Sequence, residues 1–171
     1  VRPGQRRREQ IFKFIKDRPN QSGIIYCLSR KSTEDLAQKL VTTGINAASY
    51  HAGKSSAERS KVQEDFIKDE TPVICATIAF GMGIDKSNVR WVIHYNMPKN
   101  IESYYQEIGR SGRDGTAANA LLFYSYGDVM MLQDIITKNG SENEDIQLSK
   151  LDRMRQYAEA QACRRRRVPG G

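Results

Sequence analysis

Short, continuously apolar runs alternate with helical patterns along most of this chain. The clearest runs cover residues 23–28, 73–76, 90–95 and 120–124, and a weaker one covers 47–50. Continuous rather than alternating apolarity is typical of strands that are buried on both faces of a parallel sheet. The order of the segments therefore predicts an α/β domain with a central, mostly parallel β-sheet, flanking helices and right-handed crossovers.

The segments between these runs have the spacing of amphipathic helices. Leu36 and Leu40 lie four residues apart, as do Val62 and Phe66, so each pair shares one helical face. In open α/β sheets, ligands gather at the carboxyl ends of the strands. We therefore expect the functional residues in the loops that follow the predicted strands.

The length of 171 residues suits one ordinary domain with a short extension. After the last predicted strand, we expect a helix over 127–138, a polar linker and a final helix over 145–162. The predicted organisation is a lobe over 1–140, a helical extension over 141–163 and a basic, disordered tail over 164–171.

The net charge of +7 favours a polyanionic partner, but only weakly. Much of the excess lies in two arginine clusters, at 6–8 and 164–167, and solvated basic termini would explain it equally well. No apolar run approaches the roughly 18 residues of a membrane span, so we expect no membrane partner. The three cysteines are widely spaced, which predicts a reducing compartment rather than a disulfide framework.

Residues 106–115 carry the strongest chemical signal. Arg110 and Arg113 are three positions apart, so on a helical turn their guanidinium groups can converge on one anion. Gly109 and Gly112 leave room for a close approach, and paired guanidinium forks suit a phosphate with developing charge. The alternative is a basic helix end whose arginines pair with surface carboxylates.

This segment resembles motif VI of superfamily 2 helicases, in the form found in the RecQ family. Three further segments resemble other parts of the same family's second RecA-like lobe. Residues 25–30 resemble motif IV, residues 49–53 resemble the segment that follows it, and residues 76–86 resemble motif V. Four motifs in the family's order are far more specific than any one of them.

The resemblance implies roles at a nucleotide site. Arg113, with Arg110, is similar to the arginine fingers that contact the γ-phosphate of ATP held by a first lobe, which would also hold Mg²⁺. Gln106 would couple this site to the interface between the lobes. Asp85, with Gly83, would lie near the nucleotide; alternatively, the Asp85 carboxylate orients one of the two arginines.

The resemblance also implies contacts with DNA. Ser29 and Thr77 resemble residues that bind the phosphate backbone, where hydroxyl and backbone N–H groups bind without reading sequence. Both could equally be ordinary helix caps. Arg30 and Lys86 could add positive charge to this track, and His51 is a further candidate contact with no proton-transfer role.

Two other sequence patterns are weaker evidence of function. Residues 53–55 copy the end of a Walker A loop, but Ala48 stands where its first glycine should be, so we do not expect a phosphate loop there. Residues 157–163 resemble the entry to the RecQ zinc subdomain, in which Cys163 would be the first of four ligands. Because a structural zinc site needs four ligands, zinc is expected only in an intact protein, with Cys163 a free thiol here.

The resemblance implies the second motor lobe of an ATP-dependent 3′→5′ DNA helicase, inactive without its first lobe. The implied partners are single-stranded and duplex DNA and the first RecA-like lobe of the same parent chain. The compartment would be the cytoplasm and nucleoid in a bacterium, or the nucleus in a eukaryote. The alternatives are a non-catalytic module of the same fold that binds nucleic acid or docks to a partner, and an RNA-directed superfamily 2 motor.

Overall fold

The computed structural model describes residues 3–77, 86–112, 115, 118–140 and 142–167, with side chains described from 6 to 161 within those ranges. The described strands form one parallel sheet in the order β2-β3-β1-β4-β5. The strands are β1 Ser22–Tyr26, β2 Ala47–Tyr50, β3 Val73–Ala76, β4 Val89–His94 and β5 Asn119–Leu122. The helices are α1 Pro3–Lys16, α2 Arg30–Thr42, α3 Ser56–Ile67, α4 Ile101–Ile108, α5 Tyr126–Asn139 and α6 Glu144–Arg167.

The sheet is covered on both faces, which confirms the predicted α/β class. Successive strand residues point to opposite faces. Ile25, Cys75 and Trp91 pack with α1 and α2, whereas Ile24 and Ile74 pack on the face that α3 covers. Burial on both sides explains why these strands read as continuous apolar runs rather than alternating ones.

Gly23 and Trp91 form the tightest contact inside this sheet. The two residues are register partners on β1 and β4, and the Trp91 side chain is fully buried. A methyl group built on Gly23 would overlap the indole ring, so the ring occupies the space where a side chain on β1 would stand. Glycine is therefore required at position 23 for steric reasons, although its backbone is ordinary strand.

The last two helices form a third core with α4. Tyr104 of α4, Leu132 of α5 and Met154 of α6 are buried together in this cluster. The predicted helical extension thus packs against the lobe. Helix α6 continues through Arg167, which corrects the expectation of a disordered tail from residue 164, because the described helix already includes four residues of that segment.

Side-chain caps begin most helices directly after the strands. Ser29 caps α2, Ser55 caps α3, Asn100 caps α4 and Ser125 caps α5, each accepting a hydrogen bond from a backbone N–H of the first turn. Such caps satisfy donors that a helix cannot pair internally. In the described part of the chain, no helix combines the length and apolarity needed to cross a bilayer.

Candidate functional site

The loops after β1, β2 and β3 meet at the carboxyl edge of the sheet because these strands are neighbours. Ser29 and Arg30 follow β1 and are exposed, while Thr77 follows β3 and is half-buried. The Ser29 hydroxyl accepts from the Ser32 N–H at 3.1 Å, so it is a helix cap, as the alternative interpretation proposed. An exposed cap at a helix N-terminus also faces solvent with uncompensated backbone N–H groups, which suits a phosphate oxygen.

Arg30 joins the loop after β1 to the loop after β2. Its Nη1 atom lies 3.3 Å from the position that a Cβ on Gly53 would occupy. The guanidinium group therefore lies over the backbone of the second loop. Positive charge is thereby present at the same edge as Ser29, and the contact of Arg30 with nucleic acid stays a prediction.

His51 holds its own loop together. The ring is buried, its Nδ1 accepts from the Gly53 N–H at 3.0 Å, and its Nε2 lies 2.8 Å from Glu34 Oε1. The hydrogen bond from His51 lowers the pKa of the Glu34 carboxyl. Both ring nitrogens are engaged within the domain, and this corrects the expectation that His51 contacts nucleic acid.

The same loop does not wrap a phosphate. The Gly53 and Lys54 N–H groups bond to the His51 ring and the His51 carbonyl, respectively. Ser55 forms a capping box with Glu58, in which each side chain satisfies the other's backbone N–H. A Walker A loop needs these N–H groups free for phosphate, so the resemblance at 53–55 is incidental.

Lys86 lies at the opposite edge of the sheet from Ser29. Its ammonium group is buried and pairs with Asp69 Oδ1, beside Ser22 at the start of β1. Because all strands are parallel, this is the amino edge. The expectation that Lys86 extends the nucleic-acid track is corrected: its charge is used inside the domain, where it also holds down the Asp69 pKa.

A hydrogen-bond network centred on Asp128 fixes the carboxyl edge. Asp128, buried in the first turn of α5, accepts from the Asn96 side chain at 3.2 Å, from the Met97 N–H at 3.3 Å and from Arg7 at 3.4 Å. Asn96 in turn accepts from the Leu28 N–H at 2.8 Å. The network thus joins α1, α5 and the loops after β1 and β4, directly beside Ser29.

The residues of this network are far apart in the sequence. Arg7 was counted only as part of a basic cluster, and its partner Asp128 lies 121 positions away. Arg7 also donates to the Tyr95 carbonyl at 2.9 Å, and its guanidinium lies 5.9 Å from the Tyr95 ring centroid. No local spacing could have indicated these partners. The only signal was an acidic residue directly after a predicted strand-to-helix turn.

Replacing Asp128 by alanine should lower the free energy of unfolding by about 3 kcal/mol, because it removes the carboxylate that pairs with the partly buried Arg7 and accepts from Asn96 and Met97. Urea denaturation of the chain measures this loss. The matched control is Asp134→Ala on the same helix, whose partner Lys138 is exposed, and which should cost at most about 0.5 kcal/mol. Equal losses for the two variants would show that the network does not stabilise the edge.

Helix α4 carries the predicted nucleotide-binding residues along one face of the sheet. It begins after Asn100 and ends at Ile108, and the turn beyond it reaches the amino edge, where the Gly112 N–H donates to the Val89 carbonyl at 2.9 Å. Gln106 is exposed and Arg110 is half-buried. Arg110 follows the end of α4, three positions after Glu107, whose side chain bonds to His94 at the last residue of β4.

Three predicted site residues, Gly83, Asp85 and Arg113, lie outside the described residues. Their roles remain predictions. The side chain of Cys163 is likewise outside the described part, and no group of three or more metal-binding side chains occurs among the residues that were described. The zinc assignment of Cys163 is thus a prediction about an intact protein.

A buried aromatic and ionic cluster connects β4 to α4. His94 Nε2 lies 2.9 Å from Glu107 Oε1, and both side chains are almost fully buried. The His94 ring stacks on Tyr26 at 5.3 Å and tilts against Tyr104 at 5.0 Å. Burial raises the pKa of the Tyr26 phenol, with a further increase from Glu107 and an opposing effect of Arg110. The positive charge of Arg110 thus opposes the rise in the Tyr26 pKa.

A cavity of about 690 Å³ opens above this cluster at the carboxyl edge. Tyr26, Thr77 and His94 line its floor, and Ile135 and Ile146 of α5 and α6 line its wall. Space for a ligand therefore exists at the edge where the sequence predicted nucleic-acid contacts, next to Thr77.

The sequence and the fold match proteins of known family. A model of the helicase conserved C-terminal domain matches residues 6–115. The ATP-dependent DNA helicase RecQ of Haemophilus influenzae is 49% identical over 92% of this chain and 26% of its own length. The RecQ-like DNA helicase BLM of Xenopus laevis is 49% identical over 88% of this chain and 11% of its own.

A solved structure supports the fold alone. The Escherichia coli DEAD-box protein SrmB superposes with a TM-score of 0.67 over 78% of both chains, at 22% sequence identity. The present chain spans about a quarter of the length of the Haemophilus relative. A match over this share of the relative's length does not by itself assign the relative's whole activity to the present chain.

Proposed function

Since this chain belongs to the helicase conserved C-terminal domain family and matches RecQ helicases over most of its length, we propose that it is the second motor lobe of a RecQ-type ATP-dependent DNA helicase. The observation that carries the proposal is the separation of two sets of polar groups on one lobe. Ser29, Arg30 and Thr77 lie at the carboxyl edge, whereas Gln106 lies on α4 and Arg110 lies in the turn directly after it.

The carboxyl edge binds the backbone of single-stranded DNA. The Ser29 hydroxyl, the backbone N–H groups at the start of α2 and the Arg30 guanidinium are suited to phosphate, because none of them requires a particular base. Thr77 extends the track toward β3. The Asp128 network holds the loop after β1 in place, so the contacts are preorganised.

Helix α4 and the turn after it contribute to an ATP site between two lobes. Arg113 and Arg110 stabilise the charge that develops on the γ-phosphate, and Gln106 connects this site to the interface between the lobes. Asp85 and Gly83 lie beside the nucleotide in this proposal. The other lobe holds most of the ATP and its Mg²⁺, because the loop at 53–55 has no backbone N–H groups to offer a phosphate. Translocation from 3′ to 5′ and a zinc site beginning at Cys163 belong to the same proposal for the intact protein.

The first test is binding of a labelled oligothymidine to this chain, followed by fluorescence anisotropy. The substitution Ser29→Asp keeps a helix cap but places a negative charge where the phosphate should lie. We expect affinity to fall about tenfold, and wild-type affinity to fall as salt rises from about 50 to 200 mM. The control Thr42→Asp makes the same charge change at the exposed far end of α2 and should leave affinity nearly unchanged.

Other results of this binding test would favour one of the two alternative functions. Insensitivity to Ser29→Asp, together with a loss of DNA binding on Arg113→Ala, would favour a non-catalytic module whose arginines hold backbone phosphate. Tighter binding of an RNA strand of matched length would favour an RNA-directed motor. The comparison requires that Ser29→Asp and Thr42→Asp both have the melting temperature of the wild type.

A further inference from the structure

A buried polar contact joins helix α4 to the sheet. The His94–Glu107 pair joins the last residue of β4 to the seventh residue of α4, and its two side chains are 2% and 10% exposed. Buried polar groups are costly unless they are paired, so the contact favours a single placement of the helix. Glu107 lies between Gln106 and Arg110 in sequence, three positions before the arginine.

The pair also borders the carboxyl edge. His94 stacks on Tyr26, the last residue of β1, three residues before Ser29. Its Nε2 faces Glu107, and the backbone carbonyl of His94 accepts from the Phe123 N–H, which fixes the strand end. A shift of the strand ends at this edge must therefore act on the His94 ring and, through Glu107, on α4.

We infer that His94 and Glu107 are positioning residues that hold α4 in the placement in which Gln106 and Arg110 serve the nucleotide site. This inference rests on the proposed motor function. It adds that a hydrogen bond, beyond the packing of Tyr26 and Tyr104, sets the position of Arg110. Misplacing a catalytic group by about 1 Å can cost up to about 10²-fold in rate, so the contact should matter for kcat.

The experiment uses the full-length protein that carries this lobe and measures DNA-stimulated ATP hydrolysis. The substitution His94→Phe keeps an aromatic ring between Tyr26 and Tyr104 but removes the ring N–H. We expect kcat to fall at least about tenfold while KM for ATP changes by less than about threefold, because the loss lies in transition-state stabilisation. His94→Gln, which retains an N–H donor, should recover much of kcat.

Two further variants separate positioning from stability. The double variant that combines Glu107→Leu with His94→Phe should have a kcat no lower than that of either single variant, since each change removes the same interaction. Ile93→Ala on the same strand faces α1 and α2 instead of α4, and it should lower stability without lowering kcat. An equal fall in kcat for Ile93→Ala, or a kcat within twofold of wild type for His94→Phe, would overturn the inference.

Arg113→Ala in the same protein distinguishes a failure of the positioning role of His94 from a failure of the proposed function. If Arg113→Ala abolishes turnover and His94→Phe leaves it intact, the motor function stands and the positioning role is wrong. If Arg113→Ala leaves kcat unchanged, the proposed finger role itself is wrong, whatever the histidine variants show.

Discussion

Arg113→Ala in the full-length protein should lower kcat for ATP hydrolysis by about 10³-fold or more. An arginine finger contributes about 10³–10⁵ in kcat in phosphoryl-transfer enzymes, because it neutralises charge that appears only in the transition state. In the proposed function, the other lobe holds most of the ATP before hydrolysis, so affinity should change little. Steady-state turnover and equilibrium binding of a non-hydrolysable analogue measure the two quantities separately.

Arg153→Ala is the control for this variant. Arg153 is an exposed arginine on α6, so its removal makes the same charge change away from α4. It should leave kcat within about twofold of wild type. A large loss of ATP affinity with normal kcat in Arg113→Ala would instead indicate that the arginine binds the ground-state nucleotide.

Gly23→Ala should lower the free energy of unfolding by about 3 kcal/mol or more. The added methyl meets the buried Trp91 ring, and a rigid aromatic side chain in a full core can yield only by moving the strands. Chemical denaturation monitored by tryptophan fluorescence measures the effect, since Trp91 is the sole tryptophan.

A double-mutant cycle gives the cause of this loss. Trp91→Leu removes the ring and costs stability by itself, but it should make Gly23→Ala much less harmful, because the methyl then has space. Ala120→Val, which adds bulk on the exposed part of β5, should change stability by less than about 0.5 kcal/mol. Additive losses in the cycle would show that Gly23 is needed for its backbone and not for the ring.

The fold was largely predictable because strands buried on both faces leave a continuous apolar record in the sequence. The predicted run at 90–95 became Val89–His94, and the run at 73–76 matched β3 directly. The final helix was predicted to end near residue 162 but extends to Arg167, since a run of arginines has good helix propensity and carries no stop signal.

The site was less predictable because its residues are joined across long sequence separations. Ser29 and Arg30 were placed correctly at the carboxyl edge, since both directly follow a strand. Lys86 and His51 were misplaced as ligands because a motif shows which residues are neighbours in the chain, not which partners bury them. The Asp69 and Glu34 partners of these two side chains lie 17 positions away in each case.

Helix α4 and the turn after it are attached to β4 at two points. The eight helical residues span about 12 Å, and Gly112, whose N–H donates to the Val89 carbonyl, lies four positions beyond the end of the helix. The Glu107 side chain bonds to His94 at the last residue of this strand, and Gly112 bonds to Val89 at its first residue, so the segment between them has a fixed length. One inserted residue would turn Arg110 by about 100° relative to His94. Related sequences should therefore differ along α4 by substitutions only. Their insertions and deletions should be confined to the loops between the outer strands.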